Sequence, residues 1–517
     1  MRHLSTLTIL TLLLTTLLSC VEEPQLTYNE IEQRSLKAWV EKYHPELVDN
    51  YQEEGGYYVE VINRGVQDSV AISGKDVWVW FDFTGRDLNG TIHETRSAEL
   101  ATQLNTYTNY THYIPAFRFS GADHHTLMEG TYLATFNKLK IGDEELEVRY
   151  GTELRLYLPS SVIGSTVDTN DGGYEGEFAS DGTKPMIVDM KIWGHVNNPV
   201  AYEGERVNSF AKANGGLCSD HKSVAEEDAT AEAVRRRTTR TENEKSGDEE
   251  VDTRPLEFFD GRWHQPVDTL EQLLVNYAYS PARTTFDYRN ALGSDTLKYP
   301  NETQYDAGRI YGSGQLGDID RRINEALVER FGAGISYDEV LEADSINVKK
   351  VAKIWYIGRF LDGFIFDTNI DEVREIVYGK VDDEGEALEF ETTDPEDNDY
   401  ILAWELAMPT LRLGQWATIL TVSTYGYGIE GKAGTHTSTT TTDNSYYDYA
   451  NYYNYMNYMN NYYGYGYGNM YNSGYYGYNP YYYGYTPPTT GTTITTTTTS
   501  AEIQSYAPLM FQVFVEK

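Results

Sequence analysis

The side chains best placed for chemistry lie in two short segments of the C-terminal third. Val351-Ala352-Lys353-Ile354-Trp355-Tyr356-Ile357-Gly358 reads as an alternating strand. Asp362-Gly363-Phe364-Ile365-Phe366-Asp367 reads as a turn and the start of a second strand, with an aromatic beside a carboxylate. Alone, this pattern means a hairpin and names no reaction. Motifs for other chemistries fail. His124 and His125 are adjacent, and neighbours in a helix or strand point apart, so no metal site is expected there. The chain has no Cys-x-x-Cys pair and no His-Glu-x-x-His helix. Gly312-Ser313-Gly314 lacks the spacing of a nucleophile elbow. The Gly-Tyr repeats over 464–468 do not sit between a strand and a helix, as a phosphate loop must. No metal and no cofactor are expected. A formal net charge of −38 repels phosphate backbones, so nucleic acid is not an expected partner.

The elements that must position these side chains belong to a chain of 517 residues, too long for one ordinary core. Apolar spacing over 27–48 predicts a short amphipathic helix ended by Pro45. From about residue 51 to 205 the pattern is β-rich, with strands expected over 57–62, 77–83, 145–150, 154–158 and 186–193. A helix is expected over 132–139. Strands around one short helix predict an α+β domain with an antiparallel sheet. Residues 206–255 are rich in charge and read as a solvated linker, in which Arg235-Arg236-Arg237 is flanked by acidic residues. Residues 256–340 fit no motif, although 270–275 and 319–331 have a helical look. A second domain over 341–517 contains a Thr- and Tyr-rich insertion at about 432–500. Its 446–485 stretch is about half Tyr and reads as disordered and prone to self-association.

The hairpin of Tyr356, Gly358, Asp362-Gly363 and Phe366-Asp367 resembles the early signature of the FKBP-type peptidyl-prolyl cis-trans isomerases. Further segments agree with that family in order. Ile401 followed by Trp404 and Glu405 is similar to its helix start, and Leu411, Gly414 and 417–422 to its next glycine and strand. Tyr427-Gly428 is similar to its Tyr-Gly pair, and Ala507-Pro508-Leu509-Met510-Phe511-Gln512-Val513 to its closing strand. The resemblance implies an antiparallel sheet wrapped around a short helix. It also implies an aromatic pocket made by Tyr356, Phe366, Ile401, Trp404, Tyr427 and Phe511 with Asp367 at the rim. Trp404 would be the floor, Phe366 and Phe511 the walls, and Tyr427 a donor to the substrate carbonyl. The implied clients are proline-containing polypeptides. Two departures keep a non-catalytic binding or assembly module as the alternative. Segment 370–399 is long and acidic, and the loop after Tyr427-Gly428 is replaced by the insertion.

The first β-rich domain resembles a degenerate copy of the second. Phe83-Thr84-Gly85 and Asn89-Gly90 parallel Tyr356-Ile357-Gly358 and Asp362-Gly363, while His93-Glu94 replaces Phe-Asp and Ile163 replaces Tyr427. At the N-terminus, a basic start, a short apolar run and Leu17-Leu18-Ser19-Cys20 look like a bacterial lipobox. That implies a signal peptide over 1–19, acylation of Cys20 and a tether over 20–50. The expected location is a bacterial membrane face, the outer membrane by preference. With Cys20 acylated, Cys218 would be left without a disulfide partner.

Overall fold

A computed structural model describes residues 27–73, 76–121, 125–163, 185–218, 259–266, 272–288, 316–336, 339, 343–379, 384–392, 400–434, 436–443, 491–498 and 501–517. The expectations on Cys20, on residues 219–255 and on the 446–485 Tyr-rich tract lie outside them. The fold is α+β, built on two antiparallel sheets.

Helix α1 (Tyr28–Tyr43) starts at a Thr27 capping box with Glu30. Its Leu36 and Val40 pack on Tyr58, Tyr157 and Ile187. The first sheet follows with β1 (Tyr51–Gln52), β2 (Tyr57–Arg64), β3 (Val77–Asp87) and β4 (Ile92–Thr95). Helix α2 (Ala98–Gln103), strand β5 (Ala116–Ser120) and helix α3 (Glu129–Phe136) come next. A small hairpin of β6 (Leu139–Ile141) and β7 (Glu144–Leu146) precedes β8 (Thr152–Leu158) and β9 (Met186–Val196). The strand expected over 145–150 is therefore only the end of that hairpin, because the chain leaves the ladder after Leu146. Strand order is β1-β2-β8-β9-β3-β4, with β5 also on β3. Alternation sends Val77, Val79, Phe81 and Phe83 to the core under α3. Trp78 and Trp80 go to the other face, where Phe117, Trp193 and Tyr202 cover them. Both faces of β3 are thus buried, which accounts for its unbroken apolar run.

Helix α4 (Pro199–Ala213) leaves the first sheet and enters the second core. Tyr202 lies with Trp78 and Trp80, whereas Val207, Phe210 and Ala211 pack with Trp263, Phe286 and Tyr288. The boundary expected at 205/206 thus falls inside a helix, and Leu217, just after that helix, still packs on the second core and bridges Trp263.

The second sheet contains β10 (Leu273–Asn276), β11 (Val351–Phe360), β12 (Ile365–Thr368), β13 (Leu388–Glu391), β14 (Trp416–Thr421) and, after β15 (His436–Asp443) and β16 (Gly491–Thr498), β17 (Leu509–Val515). Within the 270–275 segment, with its helical look, the described residues from Leu273 are a strand instead. Leu273, Leu274 and Val275 are all buried and pair with Thr421, Leu420 and Ile419. Helix α5 (Leu316–Phe331) buries Leu316, Ile319, Ile323 and Leu327 against the same core, at helical spacing. The unassigned 256–340 region therefore supplies an edge strand and a covering helix to the second domain. Helices α6 (Asp371–Tyr378) and α7 (Leu402–Ala407) complete it. β15 and β16, on either side of the Tyr-rich tract, pair antiparallel over eight residues. An all-Thr run hides the alternation of a strand, but its β-branched content favours one.

The two sheets share one order. β2-β8-β9-β3-β4 with β5 on β3 corresponds to β10-β14-β17-β11-β12 with β13 on β11. The hairpins agree residue by residue: Gly85 faces Glu94 and Gly358 faces Asp367, each just before a register shift. The domains are tied together. His112 Nε2 lies 2.7 Å from Asp362 Oδ2, and the His112 ring stacks on Phe364 at 4.4 Å. Gln504 accepts from Phe117 N at 2.7 Å, and Tyr110 stacks on Tyr378 at 4.0 Å.

Candidate functional site

Each residue of the site follows from its element. Tyr356 stands on β11, two residues before Gly358, and Phe366 and Asp367 stand on β12 across the turn. At that turn Gly363 has φ +95°, a conformation that favours glycine. Gly358 is required for a different reason, since a Cβ there would come within 2.6 Å of Phe366 Cζ. The bare backbone lets the Phe366 ring lie flat on the strand. Phe511 faces Gly358 from β17. Trp404 rises from α7, whose N-cap, Ile401, is extended and half-buried.

These side chains converge. Tyr356 meets Trp404 edge to face, with centroids 5.2 Å apart at 85°. Trp404 meets Phe511 at 5.5 Å and 87°, and Phe366 meets Phe511 at 5.7 Å and 89°. Edge-to-face pairing of this kind is favourable beyond the area it buries. Trp404, Phe366 and Phe511 are buried, and Tyr356, Asp367, Ile401 and Tyr427 are half-buried. Tyr356 Oη donates to Asp367 Oδ2 at 2.8 Å. Burial, with the Asp367 charge and this bond beside it, pushes the Tyr356 hydroxyl well above its ordinary range. Burial and the same carboxylate push Tyr427 up to about 12, which places Tyr427 in the field of Asp367. Both phenols therefore stay protonated as donors at neutral pH. Lys432 Nζ lies 5.4 Å from the Tyr427 ring centroid. The Trp404 indole N–H is buried and has no hydrogen-bond partner among the described residues.

Two residues were missed by the sequence reading. Tyr400 lies 5.8 Å from Trp404 and donates to the Glu389 carbonyl at 2.7 Å. Phe390 stacks on Tyr400 at 6.0 Å from β13, within the acidic 370–399 segment. Alternation in Leu388-Glu389-Phe390-Glu391 was the available signal.

Among the described residues the first domain has no such cluster. Phe83, the counterpart of Tyr356, stacks on Phe81 at 5.3 Å, and Ile163 is buried. Trp78, Trp80 and Trp193 lie on the opposite face of the sheet. That face carries a cavity of about 560 Å³ lined in part by Asp82, Arg96, Lys191 and Trp193. Its charges are paired internally: Trp193 Nε1 donates to Asp82, Lys191 meets Glu153 at 2.9 Å and Arg96 meets Glu502 at 3.3 Å.

No family model and no curated protein matches the chain. Among solved structures it is similar to a peptidyl-prolyl cis-trans isomerase of Pseudomonas syringae pv. tomato, with 14% identity, 32% of this chain and 60% of that chain covered, and a TM-score of 0.14. The chain thus spans 60% of the length of that structure. It is also similar to the three FKBP domains of wheat FKBP73, with 9% identity, 90% and 95% coverage and a TM-score of 0.17. FkpA from Escherichia coli is similar at 12% identity, with 37% and 70% coverage and a TM-score of 0.19. Likeness at these scores assigns neither family nor activity.

Proposed function

We propose that the second domain is an FKBP-like prolyl cis-trans isomerase acting on X-Pro bonds of exported polypeptides. The observation that carries the reading is the convergence of Tyr356, Phe366, Trp404 and Phe511, with Tyr356 bonded to Asp367. Rotation about X-Pro loses amide resonance across a barrier of about 20 kcal/mol and takes tens of seconds unaided. The twisted amide is less dipolar than the planar one. An apolar enclosure stabilises it relative to water, and a donor that meets its carbonyl orients it. No nucleophile is needed. Lowering the barrier by about 7 kcal/mol would speed the reaction roughly 10⁵-fold. Trp404 forms the floor for the proline ring, Phe366 and Phe511 the walls, and Tyr427 donates to the carbonyl. Asp367 holds the Tyr356 hydroxyl at the rim. The first domain, a degenerate copy of the second, lacks the cage and serves as a non-catalytic support.

Acylation at Cys20 would anchor the protein to the outer membrane, and the Tyr-rich tract would gather clients or self-associate. Among the described residues no helix is long and apolar enough to cross a membrane. The test is refolding of a protein whose slow phase is limited by a trans-to-cis prolyl step. Catalytic amounts of the protein should speed that phase, and the Trp404→Ala variant should not. A slow phase unchanged by the wild-type protein would favour the binding-module alternative.

A further inference from the structure

Ser423 opens the turn that carries Tyr427, and its polar groups are fully used. Its carbonyl accepts from both Gly426 N and Gly428 N at 2.8 Å. Its N–H donates to Glu203 Oε2 at 2.8 Å, and its hydroxyl bonds Glu203 Oε1 at 2.9 Å. Glu203 is 0% exposed and belongs to α4, the helix shared by both cores. A residue 220 positions away thus grips the start of the turn with both carboxyl oxygens. Beyond Ser423 the turn is held by Gly431 N, which donates to the Tyr427 carbonyl at 3.1 Å, and at its far end by Tyr506 N, which donates to the Gly428 carbonyl at 3.3 Å, so Glu203 is its tie to α4. Without Glu203, two buried donors at its head would lose their acceptor.

We propose that Glu203 is a positioning residue for the aromatic site: through Ser423 it sets the turn that carries Tyr427, so that the first domain controls the pocket of the second. The proposal rests on the isomerase reading for its catalytic consequence and on the geometry alone for the tie. Burial, opposed by the Ser423 bonds and Arg206, pushes the Glu203 carboxyl up to about 7. Its titratable neighbours are Arg206 on α4 and Tyr506, a neutral phenol, on the segment after the insertion. Arg206 also faces Asp362, which is paired with His112. An acid whose closed-state pKa lies above its open-state value favours closure at low pH. That preference fades as pH rises from about 4.5 to about 7. The turn is therefore expected to open more readily at pH 8 than at pH 6.

The test is hydrogen exchange of the 422–431 amides in the full chain, corrected for intrinsic rates, alongside kcat/KM for an X-Pro peptide. Glu203→Ala should speed exchange at least tenfold and lower kcat/KM by a similar factor. Glu203→Gln keeps an acceptor and a donor; it should restore both to within about twofold and remove the change between pH 6 and pH 8. Ser423→Ala, a milder change, should speed exchange in the same peptide. If Glu203→Ala leaves exchange unchanged, or Glu203→Gln keeps the pH dependence, the proposal is overturned. If the wild-type chain isomerises nothing, the isomerase reading fails, and exchange alone decides the tie.

Discussion

Arg359 is a buried charge of the second domain with three hydrogen bonds, and replacing it with Met tests how the covering helix is held. Arg359 is 1% exposed on β11. Its Nη1 donates to Asp320 of α5 at 2.8 Å and to the Gly363 carbonyl at 2.9 Å, and its Nε donates to Gln512 Oε1 at 2.8 Å. One side chain thus joins α5, the Asp362-Gly363 turn and β17. Arg359→Met leaves Asp320 buried without its cation, which costs about 3–5 kcal/mol. Arg359→Met with Asp320→Leu removes both charges. What the double variant loses is the donor to Gln512 and to Gly363 and the acceptor of Tyr288, at about 1 kcal/mol each. The double variant should therefore sit about 3 kcal/mol below wild type, closer to it than the single variant, which loses the same two donors as well as the cation of Asp320. Burial already raises the Asp320 carboxyl against the pull of Arg359. Its contribution is present at low pH and lost as pH rises through the folded-state value. Without Arg359 that value moves further up, so the deficit of the single variant should grow as pH rises above the ordinary carboxylate range. Urea denaturation followed by tryptophan fluorescence reads all three quantities. A double variant as unstable as the single one, or a deficit that ignores pH, would refute the assignment of Arg359 as the partner of a buried carboxylate.

Gly358→Ala places a methyl group 2.6 Å from Phe366 Cζ, and overpacking of this kind costs about 1–3 kcal/mol. Thermal melts should show the loss, and ring signals of Phe366 in NMR spectra should shift. Tyr356→Phe removes the 2.8 Å bond to Asp367; about 1 kcal/mol of stability should go, with kcat/KM falling more than stability predicts. His112→Ala removes the partner of Asp362, whose carboxyl burial alone would raise but His112 holds below its ordinary range. Limited proteolysis between the domains should then accelerate, with the second core still folded by circular dichroism.

Much of the site was legible because its residues carry local signals. Trp404, Phe366, Asp367 and Phe511 lie in strand or helix starts whose alternation and turn residues can be read within ten positions. β10 was not, because Leu273-Leu274-Val275 is a short apolar run buried on both faces, which periodicity cannot tell from a helix. The role of α4 was hidden by the charge-rich segment that follows it, and only the placing of Val207, Phe210 and Ala211 in the second core reveals it. The ties Glu203–Ser423 and His112–Asp362 join residues 220 and 250 positions apart, and nothing in local composition points to such contacts. The contribution of Phe390 was obscured by the acidic residues on either side of it, which face solvent from the same strand.

The aromatic cage is the centre of the account, and isomerisation of a short X-Pro peptide measured by exchange NMR addresses it most directly. The wild-type protein should broaden or exchange the cis and trans peptide signals at substoichiometric amounts. Trp404→Ala and Phe366→Ala should each lose at least tenfold of that rate, about 1.4 kcal/mol of barrier, while keeping the fold by circular dichroism. Unchanged peptide exchange in the presence of folded wild-type protein, or full activity in both variants, would contradict it.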